Sequence, residues 1–265
     1  MSIENSVIVP AYHEKLNIKP LTTRLFAALG NEGSKITELI FVDDNSQDGS
    51  VEEVEALHKQ GYNVRIIVRT DERGLSSAVL KGFHEAKGEY LICMDADLQH
   101  PPESVPSLFD SLRKHPFVLG TRYAPGVGID KDWPLHRRVI SSTARMMARP
   151  LTTASDPMSG FFGLQKKYLT KANPQDINSQ GFKIALELLA KLPLPANEPI
   201  GEIPFSFGVR VEGESKLSGK VIIQYLEQLK ELYVFKYGAN TLIAVFAIAV
   251  LLALYILLKL RSLLF

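Results

Sequence analysis

Asp95 and Asp97 close the apolar run Tyr90 to Met94, and their spacing is one that can do chemistry. Side chains alternate along an extended backbone, so the two carboxylates share a face while Ala96 points away and lets a ligand approach. Two like charges on one face repel unless a cation sits between them. Hard divalent ions such as Mg²⁺ or Mn²⁺ take oxygen ligands, and Gln99 offers a third oxygen if the chain stays extended. The same spacing also suits two acids in a solvated turn ahead of a helix, whose first turn Pro101, Pro102 and Glu103 would form. The metal reading gains weight from a second acidic pair, Asp43 and Asp44, which ends another apolar run from Glu38 to Val42.

The elements that must hold these acids read as alternating strands and helices. Ser6–Val9, Glu38–Val42, Val64–Val68 and Tyr90–Met94 are predicted as strands; helices over Leu16–Leu29, Val51–Gln60 and from Gly74 lie between them, the first two stopped by Gly30 and Gly61. Short loops and repeated alternation predict an α/β fold with a mostly parallel sheet covered on both faces. Such sheets bind ligands beyond the carboxyl ends of their strands. The turn Pro10 to Glu14, the pair Asp43 and Asp44, and Asp95 to Gln99 all fall there. No Gly-x-Gly-x-x-Gly or Walker A pattern is present, so phosphates would be held by metal and basic residues.

A chain of 265 residues with 46% hydrophobic content has room for one such domain and a tail. A net charge of +1 argues against bulk nucleic-acid binding. Cys93 is the only cysteine, so no disulfide can form within the chain, which fits a reducing compartment. Met1 to Glu4 leads into a strand without the pattern of a signal peptide.

Downstream, a strand at Val118–Gly120 runs into Thr121, Arg122 and Tyr123, then a loop with Gly126, Gly128, Lys131 and Trp133. Leu135 to Arg149 is predicted as a basic helix in which Arg137 and Ser141, four apart, share a face. One phosphate could touch both, or the helix could rest its basic face on anionic lipid headgroups. Arg138 three residues before Ser141 also makes that serine a candidate for phosphorylation. Asp156, Ser159 and Gly160 form a turn before a strand at Phe161–Leu164, and Gly181 to Lys183 open a helix that runs to about Leu192. Residues 208–219, rich in glycine and charge and carrying Arg210 and Lys216, read as a mobile loop. Lys220 to Tyr237 reads as an amphipathic helix at a membrane interface. Leu242 to Leu258 is an apolar run flanked by Lys236, Lys259 and Arg261, and a spanning helix needs about 17–25 residues. The expected organisation is an α/β domain at 1–217, the interface helix at 218–238 and one C-terminal transmembrane helix at 239–265. A short span suits a thin bilayer such as the endoplasmic reticulum, with the domain facing the cytosol.

The stretches VIVPAYHE, FVDDNSQDGS, MDADLQHPPE, GTRY, DPMSGFF and GESKL, in this order and spacing, resemble the family-two glycosyltransferases of the GT-A fold over about Val7 to Lys220. Within that family they are most similar to members that move mannose from GDP-mannose to dolichyl phosphate and carry their own membrane anchor. The resemblance implies that Asp95, Asp97 and Gln99 bind Mg²⁺ or Mn²⁺ together with the donor diphosphate, and that catalysis depends on Asp97. By the same resemblance Pro10, Tyr12, Glu14, Val42 and Asp44 line the nucleoside pocket, Ala96 borders the donor, and Arg210 and Lys216 reach its diphosphate. For Tyr12 and Val42 ordinary core packing is the alternative. Arg122, Arg137 and Ser141 are implied to hold the acceptor phosphate. Direct displacement with inversion would give dolichyl β-D-mannosyl phosphate, the lipid-linked mannose donor for protein glycosylation and GPI anchor synthesis. A phosphate monoester has its second pKa at about 6, so it attacks without a base and Glu187 reads as structural. UDP-glucose as donor is the nearer alternative. A non-catalytic nucleotide-binding protein tethered to a membrane is the other, and the complete metal set speaks against it. No nucleic acid and no obligate subunit is implied.

Overall fold

The computed structural model describes residues 2–123, 135–181, 183–206 and 219–244. Its first half alternates as expected: β1 (Asn5–Ala11), α1 (Lys15–Ile36), β2 (Thr37–Asp43), α2 (Ser50–Lys59), β3 (Val64–Val68), α3 (Leu75–Glu85) and β4 (Tyr90–Cys93). A 3₁₀ turn at Pro102–Ser104 leads into α4 (Val105–Leu112), followed by β5 (Phe117–Thr121), α5 (Leu135–Ala148), β6 (Phe162–Gln165) and α6 (Lys166–Lys171). α7 (Ile184–Lys191), β7 (Gly201–Pro204) and α8 (Gly219–Tyr237) complete the labelled elements.

The sheet runs in the order β3-β2-β1-β4-β6-β5-β7, and every pairing is parallel except those of β6, which is antiparallel to both β4 and β5. Strands with unbroken apolar runs are buried on both faces, and alternate residues serve different layers. Val7, Val9, Leu39 and Phe41 pack with Ile18, Leu21 and Leu25 of α1. Ile8, Ile40 and Val42 instead pack with Val79 and Phe83 of α3. Each such buried side chain contributes about 1.5–3 kcal/mol, so the two layers fix the register of the strands that end in the acidic pairs.

Gly30 breaks α1 as expected, with φ 64 and ψ −175, but the chain resumes a helical path to Ile36 before entering β2. α8 is not a separate layer on the surface. Its Tyr225, Leu229 and Leu232 pack with Ala148, Leu151, Met158 and Leu186 in a third core. Its aromatic hydroxyls also satisfy backbone carbonyls at and just past the end of α5: Tyr225 donates to Ala144 O (2.7 Å), Tyr233 to Met147 O (2.8 Å) and Tyr237 to Pro150 O (2.5 Å). A helix end leaves its last carbonyls without intrahelical partners, and the Tyr233 bond supplies one to Met147. Ile222, Ile223, Leu226, Val234 and Phe235 remain exposed on α8, as do Ile140, Met146 and Met147 on α5. Among the described residues no helix is long and apolar enough to cross a membrane. Most of the predicted span Leu242 to Leu258 lies outside the described residues.

Candidate active site

Asp95 lies two residues past the end of β4 and its side chain is 40% exposed, whereas Asp97 is buried. The chain does not stay extended beyond them. Leu98 has φ 61, and the resulting turn brings the Gln99 N–H to 3.1 Å from Asp97 Oδ1. Gln99 therefore approaches through a turn and not along a strand, which corrects the extended geometry expected of it. Behind the turn lies His100, 2% exposed and stacked on Phe161 at 5.0 Å. Its Nδ1 accepts the Asp95 N–H at 2.9 Å, which leaves the ring neutral with its proton on Nε2. Burial lowers the pKa of this imidazole against the pull of Asp95 and Asp97. Gly160 presses on the same spot: a Cβ there would stand 3.3 Å from both Asp95 carboxylate oxygens and 3.2 Å from His100 Cε1. A larger residue here would crowd both side chains.

Two carboxylates and an amide are a hard-oxygen donor set, the kind a divalent cation takes. No group of three or more His, Cys, Asp and Glu among the described residues is arranged to hold a metal ion.

The cationic side of the site comes from β5 and the turn before β6. Arg122 donates from Nε and Nη2 to the two oxygens of Asp156 at 2.7 and 2.9 Å, a planar two-bond pair. Asp156 is wholly buried and Arg122 nearly so. Burial opposes the guanidinium charge, but the hydrogen bonds and charge of Asp156 outweigh it and raise the pKa of Arg122. Tyr123 stands between two arginines, with Arg122 5.9 Å and Arg145 4.0 Å from its ring centre. The Tyr123 and Ser141 hydroxyls are 3.3 Å apart. The structure therefore brings Ser141 next to Tyr123 and adds Arg145, which lies one turn along α5 from Ser141 and could have been found by that periodicity. Lys183 belongs to the same field. Burial lowers the pKa of its ammonium, Arg122 pushes the same way, and Asp95 and Asp156 oppose.

At the carboxyl end of β2, Asp44 is committed to a neighbour. Its Oδ1 accepts from Arg69 Nε at 2.8 Å and from Arg69 Nη2, and its Oδ2 accepts the Gly74 N–H at 2.8 Å. Arg69 also donates to Ser77 Oγ and Gly74 O, so this buried pair pins the turn between β3 and α3. That turn carries Arg73, whose guanidinium lies 5.4 Å above the ring of Tyr12. Asp43 holds the other wall: it accepts from the Ser46 N–H and hydroxyl, and Ser46 Oγ accepts the His13 N–H at 2.8 Å, where φ is 60. Tyr12 is exposed, Pro10 and Glu14 flank it, and Asn17 Nδ2 donates to Glu14 Oε2 at 2.7 Å. Val42 is wholly buried under α3, so it can border a ligand only through its backbone. Ala96, 3% exposed, likewise offers mainly backbone.

Glu187 is structural, as expected. It is wholly buried, bonds Lys191 at 2.5 Å and Gln228 Nε2 at 3.0 Å, and accepts the Asn178 N–H at 2.9 Å. Arg210, Lys216, Trp133 and the side chain of Arg137 lie outside the described residues.

Comparison with known proteins agrees with this architecture. The model of the family described as glycosyl transferase family 2 matches residues 6–172. A dolichol-phosphate mannosyltransferase of Saccharomyces cerevisiae is 83% identical over 245 residues, which are 92% of this chain and 92% of the relative. One from Mycosarcoma maydis is 62% identical and covers 95% of this chain and 86% of its own. Among solved structures, glucosyl-3-phosphoglycerate synthase from Mycobacterium tuberculosis, in complex with Mn²⁺, UDP and glucosyl-3-phosphoglycerate, superposes with a TM-score of 0.61. At 20% identity, over 88% of this chain and 80% of that one, it speaks for the fold alone, which is the α/β arrangement of the GT-A type. On the strength of the matched residues and of these identities, the chain belongs to glycosyl transferase family 2.

Proposed function

We propose that this chain transfers mannose from GDP-mannose to dolichyl phosphate with inversion, giving dolichyl β-D-mannosyl phosphate. The observation that carries this reading is the 83% identity to a dolichol-phosphate mannosyltransferase across 92% of both chains. The site's chemistry is consistent with it. Tyr12 and Arg73 offer a flat aromatic and cationic surface for a base, in a turn held by Asp43 and by the Asp44–Arg69 pair. Arg122, fixed by Asp156, together with Tyr123, Ser141 and Arg145, offers donors and positive charge to an acceptor phosphate. Gly160 leaves room for a sugar against Asp95. Asp95, Asp97 and Gln99 would hold Mg²⁺ or Mn²⁺, which supplies positive charge to the departing diphosphate. An ionised acceptor phosphate attacks the anomeric carbon as the bond to the diphosphate breaks, so the protein's task is to orient two anions and exclude water.

The exposed apolar residues of α8 and α5 suit a membrane interface, with Leu242 to Leu258 as the anchor. We place the enzyme at the endoplasmic reticulum membrane with the site toward the cytosol. The test is transfer of labelled sugar into a solvent-extractable lipid by the purified chain in vesicles with Mn²⁺. Product is expected from GDP-mannose with dolichyl phosphate; equal or greater yield from UDP-glucose would overturn the donor assignment.

A further inference from the structure

Gln228 sits on α8, and its side chain reaches across to the segment that enters α7. It is 2% exposed and grips the backbone of Lys183 at both ends: Oε1 accepts the Lys183 N–H at 3.0 Å, and Nε2 donates to Lys183 O at 3.2 Å. This is the pairing a neighbouring strand would make, supplied by one side chain. Nε2 also donates to Glu187 Oε2 at 3.0 Å, and Glu187 is anchored by Lys191 and by the Asn178 N–H. Gly181 makes room for the grip, since a Cβ there would fall 2.7 Å from Gln228 Nε2. On its other side the Gly181 carbonyl accepts from Ser76 Oγ of α3. The segment entering α7 is thus clamped between α3 and α8. α8 in turn donates through Tyr225, Tyr233, Lys236 and Tyr237 to backbone carbonyls at and just past the end of α5, the helix that carries Ser141 and Arg145.

We propose that Gln228 is a positioning residue for the transfer reaction: it ties Lys183 to α8, and α8 to α5, so that one helix sets the spacing of two cationic walls of the phosphate site. The amide is suited to this because it donates and accepts at once, and its bond to Glu187 is buried, where geometry is held most tightly. Arg122, Asp95 and Asp156 all act on the Lys183 ammonium, so it shares their surroundings, and in this proposal it serves phosphate oxygens there. Those oxygens belong either to the donor diphosphate or to the acceptor phosphate. Because α8 also exposes Ile223, Leu226 and Phe235, seating this helix on a lipid surface and ordering the site become one event.

The proposal rests on the mannosyl-transfer reading, so wild-type transfer is measured first. Absence of transfer in the wild type would sink that reading, not the clamp. With transfer in hand, Gln228→Met keeps the side chain's length and removes both backbone bonds. The expected result is about a tenfold fall in kcat/KM, the size of a displaced positioning group, in a chain that still melts cooperatively. If the fall lies in the acceptor KM at saturating donor, Lys183 serves the acceptor; if in the donor KM at saturating acceptor, the diphosphate. The swapped pair Glu187→Gln with Gln228→Glu restores the bond between the two side chains and the acceptor for Lys183 N–H, and should recover most of the rate. A lower Tm with unchanged kcat and unchanged KM for both substrates would overturn the proposal, because it is what a purely structural role predicts.

Discussion

Arg122 meets Asp156 edge to edge, with both carboxylate oxygens taken by one guanidinium inside the protein. The pair joins β5 to the turn before β6, two segments that share no sequence neighbourhood. Breaking it should cost both stability and turnover. Asp156→Ala leaves a buried charge without its partner and should lower the unfolding free energy by about 3–5 kcal/mol. Urea denaturation measures this, and a loss under about 1 kcal/mol would mean that water replaces the carboxylate. Arg122→Lys keeps the charge but not the fork, so the expected loss appears in acceptor KM more than in stability.

Asp97→Asn should leave the fold intact and lower turnover by about 10²–10³-fold, the scale found when one preorganised electrostatic partner of a departing anion is lost. The amide can still accept the Gln99 N–H, so the turn at Leu98 survives. A thermal melt beside the assay separates the two effects. The rise in Tm with Mn²⁺ and GDP should shrink in the variant, since ligand stabilisation follows affinity; an undiminished rise would remove Asp97 from the metal site.

Arg69 and Arg73 lie four residues apart and should behave differently. Arg69→Met strips Asp44 of its buried partner and is expected to destabilise by about 3–5 kcal/mol. Arg73→Ala, on an exposed turn, should stay within about 0.5 kcal/mol of wild type. Its donor KM should nonetheless rise, by about threefold if the contact over Tyr12 is worth 0.5–1 kcal/mol. Calorimetry with GDP-mannose distinguishes the cases, and equal destabilisation by both variants would contradict the assignment.

Deleting 241–265 should leave a folded domain that binds GDP, because the strand-end residues all lie upstream. Ending the chain at 218 should not. That cut strips Leu229 and Leu232 from the third core and exposes Leu186 and Met158. Size-exclusion chromatography and nucleotide-induced melting shifts are the readouts; a monodisperse, GDP-binding 1–218 fragment would show that α8 is dispensable to the fold.

The acids and their strands were legible because each sits where an apolar run ends, and a period-two pattern does not depend on distant partners. Asp44 could be seen from the sequence, but its commitment to Arg69 could not. The pairing crosses from β2 to the turn after β3 and depends on their register. β7 was invisible for a related reason: Gly201–Pro204 is four residues with weak strand propensity, made a strand by its pairing with β5. The turn at Leu98 defeated the extended reading of Asp95 to Gln99, since nothing in a leucine announces a positive φ. Lys183 and Gln228, forty-five residues apart, meet only because α8 folds back over α7.

The reversed direction of β6 bears on how the chain comes off the ribosome. β1 to β4 emerge as a nearly complete parallel unit whose strands pair with one another as they appear. β5 has no such neighbour. Its pairing partners are β6, and then β7, and β6 must slide between β4 and β5 before the sheet is continuous. Until Phe162–Gln165 has been made, the apolar strand Phe117–Thr121 has an unpaired edge, the kind of surface on which nascent chains associate. Synthesis therefore completes the Tyr12 and Asp44 end of the sheet early and joins Arg122 to Asp156 late, after both stretches have left the ribosome.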